Sequence, residues 1–194
     1  MAGLLERYEA KKKRQDYTVP FLTSYGGYPV VKSSDLGLNE FFSKDGAQVA
    51  GMAWGGKTNP PGQGQGEAPS IVVNPHMREM QDPRAHNALV KLEASRHWMD
   101  ENGYTPSFKI TPAMQKWRQE TFGKVGPAGE AYLNNDDAFR KTLISRHIGG
   151  DANVPEVTGE LSSEVKKVKS QLESTEKKLS PSISRRFMDE WRNR

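Results

Sequence analysis

The chain contains no cysteine, so disulfides, thiolate metal sites and thiol catalysis are all excluded. That usage suits a reducing compartment, or an assembly that does not rely on oxidation. Apolar residues are also scarce, at 35% against 27% charged, below the usual globular share. A chain with few apolar side chains has little to set against the backbone entropy lost on folding. The composition therefore predicts a modest core with arms, not one core spanning all 194 residues. No stretch approaches the roughly 20 apolar residues that cross a bilayer, and residues 1–17 lack the apolar run of a secretory signal. A soluble chain without a membrane span is expected. A large excess of one charge is missing too, the net charge being +4, but its placement is uneven. Residues 1–16 carry five basic and three acidic side chains, residues 161–194 carry nine and five, and the middle carries fourteen and sixteen. Basic ends suit nucleic acid or an acidic protein surface. Two solvated helices would give the same pattern.

What is present divides the chain into four parts. Residues 1–16 predict an N-terminal basic helix, with Leu4, Leu5 and Tyr8 on one side. Lys11, Lys12, Lys13 and Arg14 lie at its C-terminal end, where cations suit the helix dipole. Residues 17–80 are rich in glycine and proline, broken by brief apolar runs. A loop of that length is uncommon inside a compact domain, yet it keeps aromatic residues, among them Tyr25, Tyr28, Phe41, Phe42 and Trp54. The stretch predicts an extended arm whose aromatics anchor in pockets on other subunits.

Residues 81–150 predict a small helical core. Asp82 followed by Pro83 reads as a helix start, and Asn102 with Gly103 as its stop. Thr111 followed by Pro112 repeats the start signal, and a third helix is expected from about 135–137 to Gly149 and Gly150. In residues 151–194, Leu161, Val165, Val168, Leu172, Thr175 and Leu179 form a heptad seam. The seam is too short to stand alone, so its helix must dock on the core or on another chain. Beyond it, Ile183, Phe187 and Trp191 share a face at i, i+4 and i+8, surrounded by Arg185, Arg186, Arg192 and Arg194. An apolar stripe flanked by arginine reads as a docking segment. The fold class expected is mainly α, with a small helical core, a long extended glycine- and proline-rich arm and amphipathic terminal helices.

Several catalytic signals are declined. Residues 51–58 satisfy the phosphate-loop pattern G-x-x-x-x-G-K-[ST], but that loop needs a strand before it and a helix after it. Here Asn59, Pro60, Pro61 and Gly62 follow, and they cannot build that helix. Gly62, Gly64 and Gly66 lack the flanking elements of a dinucleotide fingerprint. Ser163 and Lys166 match a serine–lysine pattern without companion motifs. Glu93, His97 and Glu101 share one helix face and could supply part of a metal site, although an exposed ion-pair face explains them more simply. Asp136 and Asp137 could be an acid–base pair, but adjacent acids at a helix start are ordinary caps. No catalytic, cofactor-binding or metal-binding residue is predicted, and the chain reads as non-enzymatic. A pocket holding a pKa-shifted carboxylate beside a histidine would reopen the enzyme reading.

In overall texture, with its small helical core, aromatic-bearing arm and basic amphipathic ends, the chain resembles the minor virion proteins of tailed bacteriophages. The resemblance carries no motif and transfers no residue. It implies a structural component of a virion head, portal or tail, present in multiple copies, that clamps neighbouring subunits. Its location would then be the virion, or a cytoplasmic assembly of the host cell. The partner-binding residues expected are Tyr25, Tyr28, Phe41, Phe42, Trp54, Leu161, Val165, Val168, Leu172, Leu179, Ile183, Phe187 and Trp191. The alternative is a nucleic-acid-binding protein whose contacts are Lys11, Lys12, Lys13, Arg14, Arg185, Arg186, Arg192 and Arg194.

Overall fold

The computed structural model describes residues 19–37, 50–57, 64–156 and 159–179. Among them the fold is mainly helical, with a small mixed sheet. The strands are β1 (Ser24–Tyr25), β2 (Tyr28–Lys32), β3 (Gly51–Trp54) and β4 (Ser70–Val73). The helices are α1 (Pro83–Glu101), α2 (Pro112–Phe122), α3 (Pro127–Asn134), α4 (Asp136–Gly149) and α5 (Gly159–Leu179). None of the described helices is long and apolar enough to cross a membrane.

The caps set the helix starts. Asp82 accepts from the Arg84 amide at 2.9 Å ahead of Pro83, and Thr111 accepts from the Met114 amide at 3.3 Å ahead of Pro112. Asn135 takes the amides of both Asp137 and Ala138. Each cap satisfies amides that have no partner within the helix. Helix α4 also carries Asp136 and Asp137 in its first turn and Arg146 and His147 in its last, the order its dipole favours. Helix α3, which the sequence did not announce, is a short bridge between α2 and α4.

Helix α1 is the axis of the molecule, packed against α4, α5, β3 and β4. Its fully buried Val90, Ala94 and Met99 meet Phe139, Leu143 and Ile144 of α4 and Leu161, Val168 and Leu172 of α5 in one core. The heptad seam thus docks on its own chain.

The sheet order is β1-β2-β4-β3. Strands β1 and β2 form an antiparallel hairpin, β2 and β4 run parallel with Val31 opposite Val72, and β3 runs antiparallel to β4 with Met52 opposite Val72. Strand alternation divides the side chains between two faces. Ile71 and Val73 join the helical core, while Val72 and Trp54 form a second cluster with Val31, Leu36 and Met52.

This corrects the expectation of an extended arm over residues 17–80. The described part of that stretch is a folded sheet packed on α1. Its apolar runs are too brief to fold locally, but the parallel β2–β4 pairing joins two of them across about forty residues of chain. Residues 1–16, expected as a basic helix, and 180–194, expected as a terminal amphipathic helix, lie outside the described residues, as do 17–18, 38–49 and 58–63 of the expected arm.

Candidate functional site

The described part of the phosphate-loop mimic, residues 51–57, is the place where the sheet meets α1. Gly51 lies over Leu89, so a Cβ there would stand 2.7 Å from Leu89 Cδ2 and 2.7 Å from the Val72 carbonyl oxygen. Two residues on, the Ala53 backbone hydrogen-bonds Glu93. Gly56 has φ +82°, and a Cβ there would meet Glu101 Oε1 at 2.6 Å and His97 Cε1 at 2.9 Å. Leu89, Glu93, His97 and Glu101 recur every four residues and form one stripe of α1, so the strand and the turn after it run along that stripe. The glycines serve close approach of backbone to helix. A phosphate cradle needs a curled loop with free amides. Here residues 51–54 are extended and paired with β4, Gly56 N donates to Glu67 O at 2.8 Å, and Lys57 N donates to Glu101 Oε1 at 2.8 Å.

The stripe expected as an exposed ion-pair face therefore lies against the sheet, with His97 buried and Glu93 and Glu101 half-buried. Burial pushes the Glu93 carboxyl above its ordinary range, against the opposing pull of Arg96 and of the Ala53 hydrogen bond. His97 is buried, with its Nε2 unpartnered and its ring 5.0 Å from that of Tyr28 in an edge-on contact. Its pKa is lowered by burial, which outweighs Glu101 and Asp100. Tyr28 is raised, first by burial and then by the Glu101 charge. A shifted carboxyl and a buried histidine do lie one turn apart here, but His97 Nε2 has no hydrogen bond to Glu93 or to any other group. Among the described residues no three carboxylate, histidine or cysteine side chains gather to hold a metal ion.

The second polar cluster ties α4 to its neighbours. Arg118, 3% exposed, donates from Nε to the Tyr132 carbonyl at 2.6 Å and from Nη1 to Asp136 Oδ1 at 2.7 Å. Its guanidinium also covers the Phe139 ring at 4.5 Å. Lys141 bridges Asp100 at 3.1 Å and Asp137 at 3.0 Å. Burial alone would depress Lys141, but these two carboxylates outweigh it and hold the ammonium above its ordinary value. The adjoining surface pocket, about 220 Å³, is lined by Arg96, Tyr132, Asp100, Asp137 and Lys141. Asp136 and Lys141 thus latch α4 to α2 and α1, while Asp137 braces Lys141 from within its own helix.

The expected partner-binding residues fall into two sets. Tyr25, Tyr28 and Trp54 are 8%, 8% and 9% exposed, and the Trp54 indole donates to Glu67 Oε2 at 2.8 Å. Leu161, Val168 and Leu172 are buried and Val165 is half-buried in the same core. The chain itself supplies the pockets that these side chains were expected to find elsewhere. Phe41, Phe42, Ile183, Phe187 and Trp191 lie outside the described residues, as do the Leu179 side chain, Lys11, Lys12, Lys13, Arg14, Arg185, Arg186, Arg192 and Arg194.

One edge of the molecule holds both limits of the folded domain. Near the end of α5, Glu176 accepts from the Ser24 hydroxyl and, at 2.8 Å, from the Gly27 amide. At the start of α1, the Asn87 side chain accepts from Leu22 N and donates to Pro20 O, each at 2.8 Å, while His86 Nε2 lies 3.1 Å from Leu22 O. Neither Asn87 nor Glu176 was legible in the sequence, because each acts on backbone at least 65 residues away. A scan of protein-family models, a search of curated proteins and a search of solved structures each returned no match.

Proposed function

We propose that this chain is a non-enzymatic structural component of a large assembly, of the kind that joins neighbouring subunits in a virion head, portal or tail. The observation that carries the reading is the shared edge. Val19 is five residues from Ser24, a reach of at most about 18 Å, and Leu179 is roughly 4.5 Å along the helix from Glu176. The described chain therefore begins and ends near the contact between Ser24 and Glu176. The sequences of residues 1–18 and 180–194 pair apolar stripes (Leu4, Leu5 and Tyr8; Ile183, Phe187 and Trp191) with clustered lysine and arginine. The domain acts as a rigid bracket that aims both segments at the same neighbour. Glu93, Asp136 and Lys141 hold sheet to helix and helix to helix, which supports a mechanical role.

The test is particle size in the native context. The full chain is expected to sediment in complexes far larger than a 21.7 kDa monomer. A variant with Ile183→Ser, Phe187→Ser and Trp191→Ser should keep its melting temperature and sediment as free protein. A wild-type chain that sediments as a monomer at every concentration overturns the reading.

A further inference from the structure

We propose that the outward face of α5 binds the phosphate backbone of a nucleic acid through Lys166, Lys167, Lys177 and Lys178. Helix α5 contains four glutamates and five lysines, a near balance that the fold separates in space. Glu160 accepts from the Lys109 amide at 3.0 Å, Glu164 from the Tyr104 hydroxyl, and Glu176 from Ser24 and Gly27. Three of the four acids are thereby committed to latching the helix onto the domain. The lysines are not. Lys166, Lys167, Lys177 and Lys178 are exposed, opposite the buried Leu161, Val168 and Leu172. On that face Glu173 is the remaining acid, and it pairs with Lys169 at 3.8 Å.

The lysines stand as two adjacent pairs eleven residues apart, about 16 Å along the helix, which corresponds to roughly five phosphates of one strand. Ser170 and Ser174 lie between them, and Ser163 one turn before them, on the same face, and add hydroxyl donors suited to phosphate oxygens. Last-turn lysines such as Lys177 and Lys178 also complement the helix dipole, but Lys166 and Lys167 sit mid-helix, where the dipole offers no reason for them. A protein partner is the poorer fit. Protein interfaces gain their energy from buried aromatic and aliphatic anchors, and this face has none, whereas nucleic-acid interfaces are polar and strongly positive. The Lys167 ammonium lies 4.8 Å from the Tyr104 ring centre, so the ring steadies one member of the first pair.

The experiment is titration of the full chain with a duplex of arbitrary sequence, roughly two helical turns long, over a range of salt. Wild type is expected to bind with a steep dependence of log K on log salt. Replacing the four lysines by glutamine should flatten that slope by about three to four and weaken low-salt binding at least about tenfold. Replacing them by arginine should keep both, and Lys116→Gln on α2 should change neither by more than one contact's share. If the glutamine variant melts early, Ser170→Glu with Ser174→Glu gives the same reading by repulsion. An unchanged slope in the glutamine variant overturns the assignment and moves binding to the basic residues of 1–18 and 180–194. Polyglutamate bound as tightly as the duplex, and lost in the same variant, overturns it in favour of an acidic protein surface.

Discussion

Gly51 and Lys57 distinguish two explanations of the same eight residues. If the segment cradled phosphate, the lysine side chain would matter most. In the structure the lysine contributes its backbone amide, and its side chain is exposed. Gly51 is pressed between Leu89 and the Val72 carbonyl. We expect Gly51→Val to lower stability by about 1–3 kcal/mol through overpacking and Lys57→Ala to change it by less than about 0.5 kcal/mol, both read by chemical denaturation. The opposite order would show that the strand does not lie on the helix as described. The glycines were legible in the sequence as backbone freedom, but the partner that requires them was not. Nothing near Gly51 or Gly56 announces Leu89, His97 or Glu101, so their spacing suggested a motif with a different purpose.

At the scale of elements, what could be read depended on how local the cause is. The starts of α1, α2 and α4 are fixed by a side chain and the amides two or three residues on, so Asp82, Thr111 and Asn135 marked them. The sheet has no local cause. Strand β1 is two residues long, and β2 and β4 pair across the whole of β3. The same gap misdirected the reading of Tyr25, Tyr28 and Trp54. Aromatics in a glycine-rich stretch with no visible core were assigned to a neighbour's pockets, when Tyr25 and Tyr28 join the core on α1 and α5 and Trp54 packs in the cluster on the other side of the sheet. The seam of α5 was visible and its dock was not. Leu172 sits beneath the β1–β2 turn, where Gly26 adopts φ +63° with Leu172 as the nearest side chain to the place of a Cβ. Leu172→Ala should cost about 2–5 kcal/mol and should speed amide exchange in β1 and β2 as well as in α5. Exchange confined to the helix would show that the two elements are not coupled.

The pH dependence belongs to the molecule as a whole, because buried groups in different layers pull against one another. His97 and His147 are both held below the ordinary imidazole value, in each case chiefly by burial. For such a group the unfolded chain takes up the proton first, so stability is intact above pH 6.5 and falls as pH drops below it. Glu93 has the opposite sign. Its raised pKa makes the folded state the better proton acceptor, so its contribution is full below pH 4.5 and fades as pH rises through the raised value. As pH falls below 6.5 the two histidines should therefore make the wild type lose stability. His97→Gln should flatten the remaining slope by up to about 1.4 kcal/mol per pH unit, measured by denaturation at each pH. Curves that stay parallel would mean that His97 titrates alike in the folded and unfolded states.

The hydrogen bonds from Ser24 and Gly27 to Glu176 link positions 152 and 149 residues apart, which imposes an order on biosynthesis. When the β1–β2 hairpin leaves the ribosome, its clasp has not yet been made. At about 5–20 residues per second the wait is roughly 8–30 s, during which the faces of Tyr25 and Tyr28 that α5 and α1 later cover stay bare. Nascent chains stalled before residue 159 should therefore be held by chaperones or cleaved within residues 19–80. Completion of the final helix is then the step that commits the polypeptide to its finished form.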